Sequence, residues 1–383
     1  MSKTKVIAVR RLLALAAIAV LGFGCGTTTV SATSPSTGMP SSASPGASGS
    51  GAESPETSTA PSILPEPAPG DIEGVPPGEG VLNAVWVGDD SVVAGGFAGP
   101  VFRSTILIFD GGSWSVAATP DAPGQVTGIA AFGGGWIAVG NGLPDIRDGF
   151  IWESADGRAW SLVQTIEGAA LYDLVVGNGV VVVGGALLDD EMHSTAAAWS
   201  STDATTWEPA DVEAADGTSI APVTSTPEGF AATGDRPLGQ ARPFWSATAA
   251  ASWTATENDL GDQLLPVDLV PWNDGLALVG ASGKSGDQHP FVALSDDGRR
   301  WEQTNLSTDE GYASAVAVAN ERLVVAGIDA DRLTLWTLRD DAWDAETLEP
   351  EGASITALTW NAERGLIAVG SRDGQHAVWS LGD

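Results

Sequence analysis

The chain has 383 residues, of which 49 are Asp or Glu against 17 Lys and Arg, for a formal charge of −32 at pH 7. A surface this acidic repels phosphate, which excludes nucleic acid as a partner and favours solubility in an outside medium. One cysteine in the whole chain excludes a disulfide framework.

In chain order, Lys3, Lys5, Arg10 and Arg11 precede an apolar run at residues 12–21, and "GFGC" follows, ending at Cys25. This is the order of a secretory signal, and the run is too short to span a bilayer. The stretch resembles a bacterial lipoprotein signal over residues 1–24, with Gly24 in place and Gly22 and Phe23 where an aliphatic and a small residue are usual. The resemblance implies that Cys25 is diacylated and anchors the protein to the outer face of the cytoplasmic membrane. Cleavage after Ala32, in "VSA", is the alternative and would release the protein by secretion. Four of the 17 basic residues leave with the signal, so 13 then face all 49 acidic ones.

Residues 25–62 are almost wholly Thr, Ser, Pro, Gly, Ala and Glu. Such a segment cannot bury enough apolar surface to offset its ordering entropy and reads as a flexible tether. The folded domain is expected over 63–383.

From residue 81 one unit recurs. Its landmark is an apolar run closing on glycine, at Gly96, Gly140, Gly185, Gly234, Gly280, Gly327 and Gly370. The mean period is about 46 residues, in the range of propeller blades. A shorter apolar stretch precedes each run, as in "VTGIAAF" and "SAVAVA". A polar loop and a strand ending near Trp follow, as in "FIWES" and "TLWTL". A second tryptophan stands beyond a tight turn, at Trp114, Trp160, Trp207, Trp253, Trp301 and Trp343. Four short strands per unit, with inner strands apolar on both faces, predict an all-β, seven-bladed β-propeller of four-stranded antiparallel blades. The repeats fall at about 81–123, 124–166, 167–216, 217–260, 261–310, 311–350 and 351–383. The last is one strand short, so an N-terminal strand near Ile63 or near Val75 is expected to close the ring.

In "WESADGRAW" the Asp156 side chain can bond turn N–H groups and Gly157 can take positive φ, while Trp152 and Trp160 offer apolar area to a neighbouring blade. Ser154, Asp156, Gly157 and Trp160, then Ser295, Asp297, Gly298 and Trp301, resemble the Asp-box, or bacterial neuraminidase repeat, of sialidase-like propellers. Ser201, Asp203 and Trp207 form a weaker copy with Ala204 in the glycine place, and all three copies are one residue shorter than the usual pattern Ser-x-Asp-x-Gly-x-x-Trp. The resemblance implies that the boxes are structural and lie opposite the ligand, so they do not imply catalysis.

With strands running from the centre outward, the loops between second and third strands share one face with the connections between blades. That face gathers His193, His289 and His376, all the histidines of the chain, with Arg103, Arg147, Arg236, Arg242, Lys284, Arg332 and Arg372. It is therefore the expected ligand-binding face. A monomer is expected to bind there an envelope protein, a peptide or a glycan, with no cofactor, no metal and no membrane contact beyond the N-terminal lipid. The histidines fall in units three, five and seven, too far apart to converge on zinc. The alternative implied by the resemblance is a sialidase-like exo-glycoside hydrolase, with an arginine triad, a tyrosine nucleophile and an aspartate acid/base. Arg103, Arg147 and Arg236 would then form the triad and Tyr312 the nucleophile, although Arg103 lacks the Ile-Pro that follows the first such arginine in that family.

Overall fold

The computed structural model describes residues 70–72, 74–110, 112–119, 124–144, 146–213, 215–236, 240–348 and 352–382. The expected signal, Cys25, the tether and Ile63 lie outside the described residues. Every regular element among the described residues is a β-strand.

The first strand, β1 (Gly70–Asp71), belongs to the last blade. Blade one is β2 (Gly80–Val87), β3 (Ser91–Ala98), β4 (Arg103–Asp110) and β5 (Ser113–Val116). Blade two is β6 (Gln125–Phe132), β7 (Gly135–Asn141), β8 (Asp148–Ser154) and β9 (Ser161–Glu167). Blade three is β10 (Ala169–Gly177), β11 (Val180–Leu188), β12 (Ser194–Ser201) and β13 (Glu208–Pro209). Next, β14 (Asp211–Val212) adds a parallel fifth strand outside blade four, which is β15 (Val223–Thr226), β16 (Gly229–Thr233), β17 (Phe244–Ala247) and β18 (Ser252–Ala255). Blade five is β19 (Leu264–Trp272), β20 (Gly275–Lys284), β21 (Asp287–Ser295) and β22 (Glu302–Asn305). Blade six is β23 (Gly311–Ala319), β24 (Arg322–Asp329), β25 (Arg332–Arg339) and β26 (Ala342–Thr347). Blade seven is β27 (Ala353–Asn361), β28 (Gly365–Arg372) and β29 (Gln375–Ser380), completed by β1. The innermost strands of successive blades touch, and β27 touches β2, so the ring is closed. The fold is a seven-bladed β-propeller.

Seven buried apolar clusters hold it together, one in each seam between neighbouring blades. Between blades one and two, Ile106 and Ile108 meet Trp152 and Trp160. Between blades seven and one, Val369 and Val378 meet Leu82 and Leu107. Trp199 and Trp207, Trp245 and Trp253, and Trp336 and Trp343 likewise face the blade before their own. The recurring indoles are thus inter-sheet contacts. Burial of each such large side chain contributes roughly 2 kcal/mol or more, which a lone four-stranded sheet could not gain.

The recurring glycines answer to a bulge. In six blades the innermost strand carries one extra residue at the same level: Asn83, Thr127, Tyr172, Val267, Ser314 or Thr356. Each bulge drives a carbonyl onto the second strand where glycine stands. A Cβ there would lie 1.9 Å from the Val81 oxygen at Gly96, 1.9 Å from Gln125 at Gly140 and 2.1 Å from Tyr312 at Gly327. Gly185, Gly280 and Gly370 meet the same obstacle. In blade four the inner strand is only four residues long and shows no register shift, yet a Cβ at Gly234 would still lie 2.2 Å from the Ser219 oxygen.

The ring closes where Gly70 and Asp71 pair with Ser380 and Trp379, and the Ile72 amide donates to the Val378 carbonyl at 3.0 Å. An N-terminal strand thus closes the ring, and it lies close to Val75; beyond Val75, Glu79 bridges to Gln375. Ile72 and Val75 pack into the seam between blades seven and one. Residues 70–75 are the window between Pro69 and Pro76 that can supply the N–H groups a ladder needs.

Candidate functional site

A bulge re-aims a side chain, and here six of them turn to the ring's axis. Asn83, Thr127, Tyr172, Val267, Ser314 and Thr356, with Ala221 and Pro222 of blade four, line one axial cavity of about 290 Å³. Gln125 starts an inner strand, Ile146 lies in the β7–β8 loop, and Pro222 leads into blade four. All three line the cavity, which places it at the loop-face end of the axis.

Four of these residues each stitch an inner strand to the next. Asn83 donates through Nδ2 to the Val126 carbonyl at 3.3 Å, Thr127 to Leu171 at 2.9 Å, Ser314 to Ile355 at 2.6 Å, and Thr356 to Leu82. Tyr172 and Val267 make no such stitch, and in their blades the following residue is an aspartate. Asp173 accepts from the Val223 amide and Asp268 from the Val316 amide, each at 2.8 Å, while their other oxygens accept from Leu174 at 2.7 Å and Leu269 at 2.8 Å. Desolvation on the axis pushes Asp173 up to about 7 and Asp268 up to about 6. The backbone donors oppose this, and the charge of Asp268 adds to the rise at Asp173. The Tyr172 phenol is also pushed above its usual range, first by desolvation and then by the Asp235 carboxylate.

The residues expected to bind ligand stand elsewhere. None of Arg103, Arg147, His193, Arg236, Arg242, His289, Arg332, Arg372 and His376 lines the cavity. Arg103, Arg147, His193 and Arg332 are exposed, and Arg236 and Arg372 half-buried. His193 is held at 2.9 Å by Asp189, a bond that raises its pKa. Arg242 is not on the surface: its side chain is 0% exposed, paired with Asp235 at 3.0 Å and bonded to the Arg236 carbonyl. His289 bonds the Asp309 carbonyl at 2.9 Å. His376 is part of the closure, its Nε2 2.8 Å from the Phe97 carbonyl and its amide donating to Gly78 at 2.9 Å. Its burial lowers its pKa. Tyr312 is half-buried in β23 and does not line the cavity, whereas Tyr172 does. Among the described residues no group of three or more His, Cys, Asp and Glu could hold a metal ion.

On the opposite face three turns share one hydrogen-bond set. Asp156 accepts from the amides of Arg158 and Ala159 at 2.9 and 3.1 Å, and the Trp160 indole donates to Gly157 at 2.9 Å. Asp203 with Thr205, Thr206 and Trp207, and Asp297 with Arg299, Arg300 and Trp301, repeat it. Ser154, Ser201 and Ser295 are buried beneath these turns. Gly157 and Gly298 take φ of 73° and 69°, and Ala204 adopts the same conformation at 66°.

The ring, its seams and its axial cavity define the class of the protein as a seven-bladed β-propeller. No protein-family model matches the chain, and no curated protein does. Solved structures do. The Cps50 (Swd1) β-propeller domain of Myceliophteria thermophila is 12% identical, with a TM-score of 0.56 over 82% of this chain and 99% of that one. An extracellular domain of a one-component system from B. thetaiotaomicron is 8% identical, with a TM-score of 0.56 over 82% of this chain and 40% of that one. A chain of the mitotic checkpoint complex is 12% identical, with a TM-score of 0.54 over 86% of this chain and 97% of that one. At these identities the likeness is one of fold.

Proposed function

We propose that the protein is an exported, lipid-tethered propeller that works by binding, with the loop-face mouth of its axial cavity as the site. Its partner is an envelope protein, a peptide or a glycan. The bulged level of the inner strands carries this reading. Six blades each give a side chain to a cavity at the loop-face end of the axis, the face where Arg103, Arg147, His193 and Arg332 are exposed. Convergent polar groups in a cavity between repeats are what a ligand site needs. Residues 1–25 support export and the Cys25 anchor, and the extracellular placement of the B. thetaiotaomicron domain agrees with it.

A sialidase-like hydrolase gains no support from this cavity. Its lining includes no arginine to hold a substrate carboxylate, and Tyr312 is not part of it. The test is partner capture with the tethered chain. Charge reversal at Arg103, Arg147 and Arg332 should abolish capture, while reversal at Arg299 and Arg300 on the opposite face should leave it intact. Turnover of a fluorogenic sialoside by the unaltered protein, lost in Tyr312→Phe, would replace binding with hydrolysis. Fatty-acid labelling that disappears in Cys25→Ser checks the anchor.

A further inference from the structure

The belt around the cavity has used its hydrogens. Thr127, Ser314 and Thr356 donate their hydroxyls to carbonyls of the next blade, and Asn83 donates its amide to Gln125 at 3.3 Å and to Val126. What these groups offer the cavity is lone pairs. Asp173 and Asp268 add two carboxylates, and no Lys, Arg or His stands among the lining residues. Tyr172 lines the same space and brings its phenol to it. A lining in which the acceptors and two aspartates outnumber the donors, the Gln125 amide and the Tyr172 phenol, is complementary to a positively charged N–H donor.

The size and the rest of the wall narrow the donor. About 290 Å³ is far larger than the roughly 30 Å³ of one water, so a bare ion would not fill it. Val85, Ile129, Leu174 and Leu358 supply an apolar wall suited to an aliphatic stem. We infer that the axial cavity receives a primary ammonium group on an aliphatic stem, either a small free amine or a lysine side chain of the partner. This inference rests on the loop-face reading and names the chemistry that the site takes.

The test is calorimetric titration of the full chain at constant ionic strength with n-butylammonium, Nα-acetyl-lysine amide, tetramethylammonium and calcium chlorides. Butylammonium should bind saturably, and about tenfold or more weakly in Asp268→Asn. Tetramethylammonium, which has no N–H, should bind at least about tenfold more weakly than butylammonium. Binding of the lysine derivative as well points to a side chain of the partner as the occupant, and binding of butylammonium alone points to a free amine. Because Asp268→Asn also removes an acceptor from the Val316 amide, Val267→Phe is the second variant. It fills the cavity without altering either carboxylate and should abolish binding. No saturable binding of butylammonium, equal binding of tetramethylammonium, displacement of butylammonium by calcium, or full binding in both variants would overturn the inference. Partner capture that persists without ammonium binding would overturn this inference alone and leave the loop-face reading in place.

Discussion

Thr356 in the last blade donates its hydroxyl to the carbonyl of Leu82 in the first, across 274 positions of the chain. The bond is the seventh blade's copy of the one from Ser314 to Ile355, so the ring is stitched at its axis as well as latched at its rim by β1. Thr356→Val keeps the shape of the side chain and leaves the Leu82 carbonyl without that donor. It should lower stability by about 1 kcal/mol, read from the urea midpoint at unchanged slope. Thr127→Val should behave alike, and unchanged midpoints for both would remove the belt from the account.

The glycines opposite the bulges predict a sharper effect. Gly327→Ala puts a methyl group 2.1 Å from the Tyr312 oxygen, and only backbone movement relieves it. It should destabilise by about 1–3 kcal/mol, an overpacking cost. Gly261→Ala is the control, since its added methyl meets nothing closer than 3.6 Å. Equal denaturation midpoints for the two variants would contradict the close-approach argument.

Two sets of aspartates predict opposite pH effects. Asp173 and Asp268 have folded pKa values raised to about 7 and about 6, so the stability they confer is full below their unfolded value and is lost as pH rises through 6 and 7. Asp156, Asp203 and Asp297 are lowered, chiefly by the backbone amides of their turns, so their contribution is present above the ordinary value of 3.8 and is lost as pH falls below it. Stability should therefore be greatest near pH 4, where both contributions are present, and should fall from there to about pH 7. Relief of general charge repulsion has the same sign as the axial pair. The discriminating measurement is the slope between about pH 4 and 6, which should flatten in Asp268→Asn relative to the unaltered chain.

The rim latch makes a prediction about length. A chain beginning at residue 75 lacks β1 and the Ile72 amide, and leaves the outer edge of β29 unpaired. It should melt several degrees below a chain beginning at residue 64, at about 2–4 °C per kcal/mol lost. Equal melting temperatures would show that blade seven does not need its donated strand.

The architecture was legible because the seams repeat one chemistry. Glycine and tryptophan return at a near-constant period and meet similar contacts from blade to blade, and the Ser-x-Asp turn recurs in three of them. The axial cavity was not legible for the opposite reason. Its bulge residues are Asn, Thr, Tyr, Val, Ser and Thr, chosen for no shared side chain, and only the backbone puts them at one level. The one trace they leave is the glycine on the next strand, which marks a bulge but not what the bulge presents. Arg242 misled because a loop of polar residues reads as surface, and nothing in its neighbours announces that Asp235 draws it inward. The latch was legible as an N-terminal strand but not to the residue, because only the backbone decides which N–H groups between Pro69 and Pro76 meet β29.

The central claim is that the loop-face mouth of the axial cavity is where the partner sits. A photo-reactive residue at Ile146, which lines the cavity from the β7–β8 loop, and another at Arg299, on the opposite face, test it most directly in the intact tethered protein. The account predicts a cross-linked partner from position 146 and none from position 299. A cross-link from position 299 with none from position 146 would contradict it.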